Sequence, residues 1–427
     1  MGGAGGISME KWEQELIKQV NTPLPEHVDQ RIHLTLNHLK QNHKKPTKLR
    51  YIAAAAAASL AISLGLSAVN PNFAEAMRSL PLIGSVFELV GHDGLKRGSQ
   101  LRLAAEIGQE VQIGEQRVTL TESLYDGSSI HLGLVIHPPI DENEPTSIVN
   151  DIVFTIDHKR PSNLGYGFSM EKLKDGTFAG TLSIDVEERL PDQFLLSLLS
   201  SDETKTYAEI PIERQGGYQS FTIDETRVWN AIEVNYESIT LFPTSTQLAL
   251  LFRNTSSPFW EIQVSDDRGR RLRPTGGRGS SHKESGSYTY SFEPLETIPK
   301  QLTIKPYFSS IDTSNKTRAV WKGVPVTLSQ GMAGSVTVLD QELVNNSLTI
   351  TYEIAGEGVF EQARHIWLED SKDIPIHSDR PPIRIQGTDS YQLTFSNISN
   401  TDSISICTPQ INIHYLQDLE VTVDLKS

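Results

Sequence analysis

Four histidines near the N-terminus are the first residues whose type could support metal chemistry. His27, His33, His38 and His43 follow one another at intervals of six, five and five residues, so they do not share one helix face as i, i+4 metal ligands would. No cysteine accompanies them, because the chain has one cysteine, Cys407, which also excludes an internal disulfide and a cysteine-rich zinc site. We interpret these histidines as solvated and predict no cofactor; a metal site is the alternative.

Nucleophilic and acid–base chemistry has little support in the sequence. Cys407 lies in the alternating apolar run SISICTPQI, which is typical of a buried, inert thiol; a catalytic nucleophile would need a histidine partner. Asp340 and Glu342 share one strand face, where a bound cation is the alternative to two solvated carboxylates. The sequence has no Walker loop, G-x-S-x-G or H-E-x-x-H motif. We therefore predict no catalytic residues and no enzymatic activity.

A basic, glycine-rich stretch at residues 266–283, DDRGRRLRPTGGRGSSHK, stands out in an otherwise acidic region. One interpretation is a loop that contacts anionic cell-wall polymer or lipid head groups. The other is a flexible, solvated hairpin loop.

Apolar residues at helical spacing mark two short stretches before residue 45 and predict two amphipathic helices. About 40 residues cannot bury a sufficient core alone, so these apolar stripes need a partner. The predicted partner-binding residues are Trp12, Leu16, Val28, Ile32, Leu36 and Leu39. Three interpretations are open: a helix-in-groove ligand for a cytoplasmic protein, a simple helical hairpin, or a helix on the membrane surface.

An uncharged stretch of 19 residues, Tyr51–Val69, follows these helices. As a helix it would be about 28 Å long, close to the roughly 30 Å hydrocarbon core of a bilayer. The cations just before it are Lys44, Lys45, Lys48 and Arg50. Positive charge stays on the cytoplasmic side, so we predict a single-pass anchor in the cell membrane, with the N-terminus cytoplasmic and the C-terminal bulk extracellular. A buried helix of a soluble protein and signal-peptidase cleavage at Ala74-Glu75-Ala76 are the alternatives.

Composition narrows the remaining classes. The chain has 427 residues, which suggests about three domains at roughly 150 residues each. Its apolar content of 37% supports folded domains rather than a disordered chain. The formal net charge of −15 disfavours phosphate binding, so no direct nucleic-acid partner is expected.

Two stretches with the same strand pattern align without a gap: VTLTESLYDGSSIHLGLVI (118–136) and VTVLDQELVNNSLTITYEI (336–354). In each, an apolar alternation stops at a turn signal, Asp126-Gly127 or Asn345-Asn346, and then resumes with period two. This pattern predicts a hairpin of half-buried strands. A weaker third copy spans residues 232–252.

The predicted fold class is mainly β: tandem antiparallel Ig-like β-sandwich units, preceded by a short helical segment and one transmembrane helix. Pro211 and Pro325 interrupt apolar alternations and predict sheet edges, and the last alternation, 419–425, is assigned to the third unit. An apolar stretch at 80–90 is either a short helix on the first unit or an interfacial segment. The predicted boundaries are a cytoplasmic helical segment 1–48, a transmembrane helix 49–69, a juxtamembrane linker 70–99 and β-sandwich units 100–215, 216–330 and 331–427.

The run NPNFAEAMRSLPLIGSVFEL (70–89) resembles the membrane-proximal motif of a family of spore-forming Gram-positive bacteria, the domain of unknown function of the 4179 type. Residues 118–136 resemble its first β repeat, and a companion β domain extends the resemblance to about residue 330. The resemblance implies a membrane-anchored anti-sigma factor that holds an extracytoplasmic-function sigma factor in the cytoplasm and senses the envelope outside. Its implied partners are a sigma factor, the lipid bilayer, and a wall polymer or another protein outside. A surface-anchored adhesion or envelope scaffold protein is the alternative.

Overall fold

The computed structural model describes residues 85–138, 147–255, 260–320, 325–378, 380–385, 388–399, 401 and 404–425. The chain divides into two compact units, 1–69 and 70–427, and all described residues belong to the second. The predicted cytoplasmic segment and the predicted transmembrane helix therefore lie outside the described residues. Within the ranges given above, no helix has the length and apolar character needed to cross a bilayer.

Two short helices begin the described chain: α1 (Val86–Val90) and α2 (Asp93–Gln100). Val86 packs against Val135 of the first β unit. Phe87 and Leu95, one from each helix, pack against Leu124 of the same unit. The predicted short helix on the first unit is thus confirmed for the part of 80–90 that is described.

The first β unit consists of two antiparallel sheets on one core. Its strands are β1 (Ala105–Ile113), β2 (Gln116–Tyr125), β3 (Ile130–His137), β4 (Ile152–Ile156), β5 (Leu164–Lys172), β6 (Phe178–Val186), β7 (Gln193–Ser200) and β8 (Thr206–Glu213). One sheet has the order β1-β2-β3-β6-β5 and the other β4-β7-β8. Leu132 and Leu196, one from each sheet, meet in the core. Pro211 lies in the edge strand β8, as predicted.

The second β unit follows the same plan. Its strands are β9 (Gln219–Trp229), β10 (Ile232–Leu241), β11 (Thr246–Arg253), β12 (Glu261–Asp266), β13 (Arg271–Leu272), β14 (Pro274–His282), β15 (Ser285–Phe292) and β16 (Gln301–Val320). The sheet β14-β15-β11-β10-β9 packs on the layer that contains β12, β13 and β16. Leu250 and Ile262, one from each layer, lie in the same core.

The third β unit contains a helix, α3 (Val359–Arg364), and the remaining strands. These strands are β17 (Val326–Ser329), β18 (Gly334–Val344), β19 (Ser347–Gly356), β20 (Trp367–Glu369), β21 (Pro375–Ile376), β22 (Ile383–Arg384), β23 (Ser390–Phe395), β24 (Ser405–Tyr415) and β25 (Val421–Asp424). The sheet β17-β18-β19-β23-β22 packs on the layer with β20 and β24. Ile350 and Ile406, one from each layer, meet in its core.

Strand β16 belongs to both the second and the third β unit. It lies in a sheet of order β13-β12-β16-β24-β20-β21, and β25 also pairs with it. Leu302, near its start, lies in the second core, whereas Ala319, near its end, packs against the third. One continuous strand with backbone hydrogen bonds at both ends therefore joins the two units.

The C-terminal strand differs from the sequence-based assignment to the third unit. Strand β25 pairs with the start of β16, and Leu419 and Val421 lie buried in the second core. The Tyr236 hydroxyl, also in that core, donates a hydrogen bond of 2.6 Å to the Leu419 carbonyl. The reason is the length of β24, which runs antiparallel to β16 and returns the chain to the second unit.

The three predicted hairpins are confirmed as β2–β3, β10–β11 and β18–β19. Asn345 and Asn346 have φ angles of 49° and 62°, the left-handed pair that a tight hairpin turn requires. Strands β2 and β3 depart from the expected half-burial, because nearly all of their residues are buried. Helices α1 and α2 and the second unit cover the face that the alternation predicts to be solvated.

We expect Leu419→Ala to destabilise the second unit rather than the third, because it opens a cavity in the second core. Such truncations cost about 2–5 kcal/mol. Native-state hydrogen exchange should become faster in β10 while β19 is unchanged. Leu343→Ala, at a side chain of the third unit that is 41% exposed, is the matched control and should change neither. Faster exchange confined to β19 would contradict the observed packing.

Candidate functional site at the junction of the first two β units

The six predicted partner-binding residues lie outside the described residues: Trp12, Leu16, Val28, Ile32, Leu36 and Leu39. The same holds for His27, His33, His38 and His43. Where the structure describes the chain, polar side chains converge around two cavities at the junction between the first and second β units. That junction is therefore the candidate site.

Asp126 links the two units with a fully buried carboxylate. Its Oδ1 accepts hydrogen bonds from the backbone N–H and the hydroxyl of Ser128, within its own turn. Its Oδ2 accepts from the backbone N–H of Thr244, at 2.9 Å, and from the Thr244 hydroxyl, at 2.6 Å. Four donors therefore satisfy one buried charge, and two of them come from the other unit.

A second buried carboxylate, Glu122, holds the start of α1 against the first unit. It accepts hydrogen bonds from the Ser85 hydroxyl, at 2.9 Å, and from the backbone N–H of Phe87, at 3.1 Å. Burial raises the pKa of Glu122, and these hydrogen bonds oppose the rise. The carboxylate thus satisfies a helix N–H that has no partner within the helix.

Helix α2 fills the corner between the two units, and its glycines allow the close approach. A Cβ on Gly94 would lie 2.0 Å from the Thr244 carbonyl oxygen, and one on Gly98 would lie 2.4 Å from Leu124. Two arginine contacts fix the helix: Arg97 donates to the Leu295 carbonyl, and Arg273 forms an ion pair with Asp93.

The basic stretch 266–283 is neither a flexible loop nor a free cationic surface. Its residues form a turn and the strands β13 and β14, and three of its arginines contact other parts of the protein. Arg271 pairs with Asp389 of the third unit, at 3.4 Å. Arg278 pairs with Asp185 of the first unit, at 3.7 Å. With the Arg273 contact to α2, this stretch connects three parts of the fold.

A polar cleft lies between the first and second units, around Arg278. It consists of two adjoining cavities of about 350 and 430 Å³. The lining residues that both cavities share are Ser128, Ser129, Gln247 and Arg278. We call these two cavities together the junction cleft.

Charge in the junction cleft is balanced. Among the described residues, its arginines are Arg189, Arg214, Arg273 and Arg278. Its carboxylates are Asp185, Glu187, Glu188 and Asp192. Four charges of each sign give the lining no net charge.

His131 lies on the first-unit wall of the cleft. Its ring is 4% exposed, its Nδ1 is 2.8 Å from the Ser183 hydroxyl, and its ring centroid is 5.7 Å from that of His92. Burial lowers the pKa of His131 to about 4. The imidazole is therefore neutral at neutral pH and acts as a hydrogen-bonding group, not as a cation.

The other sequence candidates lie away from this junction. Cys407 is fully buried in β24, and burial, with the Glu369 carboxylate beside it, raises the pKa of the thiol to about 12. Asp340 and Glu342 lie on β18, and the described residues contain no group of three or more histidine, cysteine or acidic side chains able to hold a metal ion.

The residues that make the junction are ones that sequence reasoning missed. The Asp126-Gly127 pair predicts a turn correctly, but nothing local indicates that the carboxylate crosses to Thr244, 118 positions later. The available signal was the cluster of arginines in 266–283, which is unusual in an acidic domain and needs carboxylate partners.

Asp126→Asn should destabilise the protein by about 2–3 kcal/mol, because the amide NH2 cannot accept the hydrogen bonds of its buried donors. Chemical denaturation followed by circular dichroism measures the change. Asp267→Asn, an exposed aspartate in the turn before β13, is the matched control and should have little effect. Equal stability of the two variants would mean that the Asp126 contacts do not hold the junction.

The free energy of unfolding should decrease as the pH falls from 6.5 toward 4. The unfolded chain binds a proton on His131 in this window, whereas the folded protein, with its lowered pKa, does not. The loss from this group is up to about 3 kcal/mol. In His131→Asn the dependence of unfolding free energy on pH should be flatter in this window, whereas the exposed control His414→Asn should keep the wild-type slope. Identical slopes in all three proteins would contradict this prediction.

Comparison with known proteins gives two family matches. Residues 44–137 match a domain of unknown function (DUF4179), and residues 218–328 match a family of unknown function (DUF5643). The first match includes α1, α2 and β1–β3; the second begins at the second β unit. The 4179-type resemblance is thereby confirmed at the level of these two domains.

Two solved structures are distantly similar to the chain. A conserved domain protein from Bacillus anthracis is 11% identical, with a TM-score of 0.38, over 76% of this chain and 92% of that one. The I67–I69 I-band fragment of titin is 10% identical, with a TM-score of 0.12, over 67% of this chain and 91% of that one. No curated protein matches the chain.

Proposed function

We propose that this protein is a single-pass membrane regulator without enzymatic activity, an anti-sigma factor whose segment 1–48 sequesters an extracytoplasmic-function sigma factor. The observation that carries the proposal is an apolar stripe on a segment too small to bury it, placed directly before 19 uncharged residues. Amphipathic helices with such an apolar stripe bind hydrophobic grooves on partner proteins.

The order of the segments supports this topology. The cations from Lys44 to Arg50 favour a cytoplasmic position for the short segment, which would put the β units outside the cell. The DUF4179 match begins at residue 44 and ends in β3, so one family model includes the proposed anchor and the first β strands. This continuity favours a function in which the two parts act together.

The structure of the outer region supports a sensing role. We infer that its three β units are Ig-like sandwiches, since each packs antiparallel sheets over one core. The first and second units meet through hydrogen bonds and ion pairs such as Asp126–Thr244 and Arg278–Asp185. Polar interfaces between domains permit relative motion more readily than apolar ones. A ligand at this junction can therefore change the arrangement of the outer region.

Co-expression tests the cytoplasmic role. The full-length chain should co-purify with one extracytoplasmic-function sigma factor of the same genome, and Val28→Asp or Ile32→Asp should abolish capture, because each places a charge in the apolar stripe. Asn37→Asp adds the same charge on the opposite face of the helix that the sequence predicts, and should leave capture unchanged. Absence of co-purification with every candidate sigma factor would refute the proposal.

Deletion of residues 9–40 separates this function from the adhesion or scaffold alternative. Under the anti-sigma proposal, the deletion releases the sigma factor and switches on a transcriptional regulon. Under the alternative, transcription stays unchanged and surface binding persists.

A further inference from the structure

The junction cleft has the dimensions of a small-molecule site. Its two cavities, of about 350 and 430 Å³, fall within the range of ligand pockets in proteins. Asp185 within it is 40% exposed, so a ligand from solution can reach the lining. The first and second β units each supply one wall, and a bound molecule would contact both.

At the centre of the cleft, polar groups of the first and second units lie close enough to one another for hydrogen bonds and an ion pair. Arg278 reaches the Gln247 amide oxygen at 3.3 Å and Asp185 at 3.7 Å, and the Ser129 hydroxyl donates to Asp185 at 2.5 Å. Arginine carries five N–H donors, and these contacts leave some of them available. Donors and acceptors from both units thus lie side by side.

The balance of charge in the cleft indicates a neutral ligand. The four arginines and four carboxylates give the lining no net charge, so long-range attraction favours neither an anion nor a cation. The remaining polar groups are mainly hydroxyls, amides and neutral imidazole, which donate and accept in comparable number. A ligand that matches them carries many groups able to do both, and the hydroxyls of a sugar have this property.

The cleft also offers apolar surface beside its polar groups. Phe168 lines the larger cavity. In the smaller cavity Phe242 lies 5.2 Å from Tyr218, whose ring already has the guanidinium groups of Arg189 and Arg214 at 5.9 and 5.3 Å. Aromatic rings at a polar surface present both an apolar face and a polar rim. The C–H face of a pyranose ring packs on such surfaces, whereas inorganic phosphate gains nothing from them.

We propose that the junction cleft binds a neutral oligosaccharide that bridges the first and second β units. The proposal deepens the envelope-sensing role proposed above and rests on it for biological meaning. All the residues that would contact the oligosaccharide belong to the described part of the chain.

Calorimetric titration of the full-length protein in nanodiscs tests the proposal. The probes are a tetramer of N-acetylglucosamine, a tetramer of glucose, and inorganic phosphate. We expect one of the neutral tetramers to bind. Arg278→Gln should weaken that binding at least tenfold, whereas Arg268→Gln, at an exposed arginine of the same stretch outside the cleft, should not change it.

Arg278→Gln would also lose binding if it failed to fold, so a second variant that fills the cavity is tested. A Cβ added to Gly167, which lines the cleft, meets no atom within 4 Å, so Gly167→Leu should retain the wild-type melting temperature and still block the tetramer. Binding of phosphate but of neither tetramer, no binding of any probe, or equal affinity in wild type and Gly167→Leu would each overturn the proposal. No sigma factor is present in this assay, so its outcome is separate from that of the co-expression test.

Discussion

The described structure depends most on a strand that serves two hydrophobic cores. β16 contributes Leu302 to the second core and packs Ala319 against the third, and β24 runs antiparallel beside it. Backbone hydrogen bonds along this ribbon make rotation of the third unit relative to the second costly, because rotation would break a sheet. Relative motion is therefore easier at the other junction, where the first unit meets the second through side chains.

At the junction between the first and second units, charged groups have partners on other elements. Asp126 accepts four hydrogen bonds, and Arg278 lies between Asp185 and Gln247. The net free energy of making each such hydrogen bond is modest, because the unfolded chain bonds to water instead, whereas removing one partner of a buried charge is costly. These contacts fix the geometry of the units while leaving a cleft that a ligand with similar groups can occupy. A ligand bound in this cleft would contact both units, and this is how the fold supports the proposed sensing role.

The sequence correctly predicted the features that depend on neighbouring residues. The β2–β3 and β18–β19 hairpins and the edge position of Pro211 follow from alternation, turn residues and the missing N–H of proline. The burial of His131 on the face expected to be solvated does not follow, because α2 and the second unit cover it from distant positions in the chain. The candidate cleft was missed for the same reason: residues from different units form it, and period-two patterns contain no information about which units dock.

The return of β25 to the second core has a consequence for the order of folding during synthesis. The core around Tyr236 lacks Leu419 and Val421 until the ribosome has passed residue 421, nearly 200 positions later in the chain. The first unit has every strand of its two sheets by residue 213 and can close early. The middle unit must wait with apolar surface exposed, so its nascent form is the stage at which chaperone binding and aggregation compete with folding.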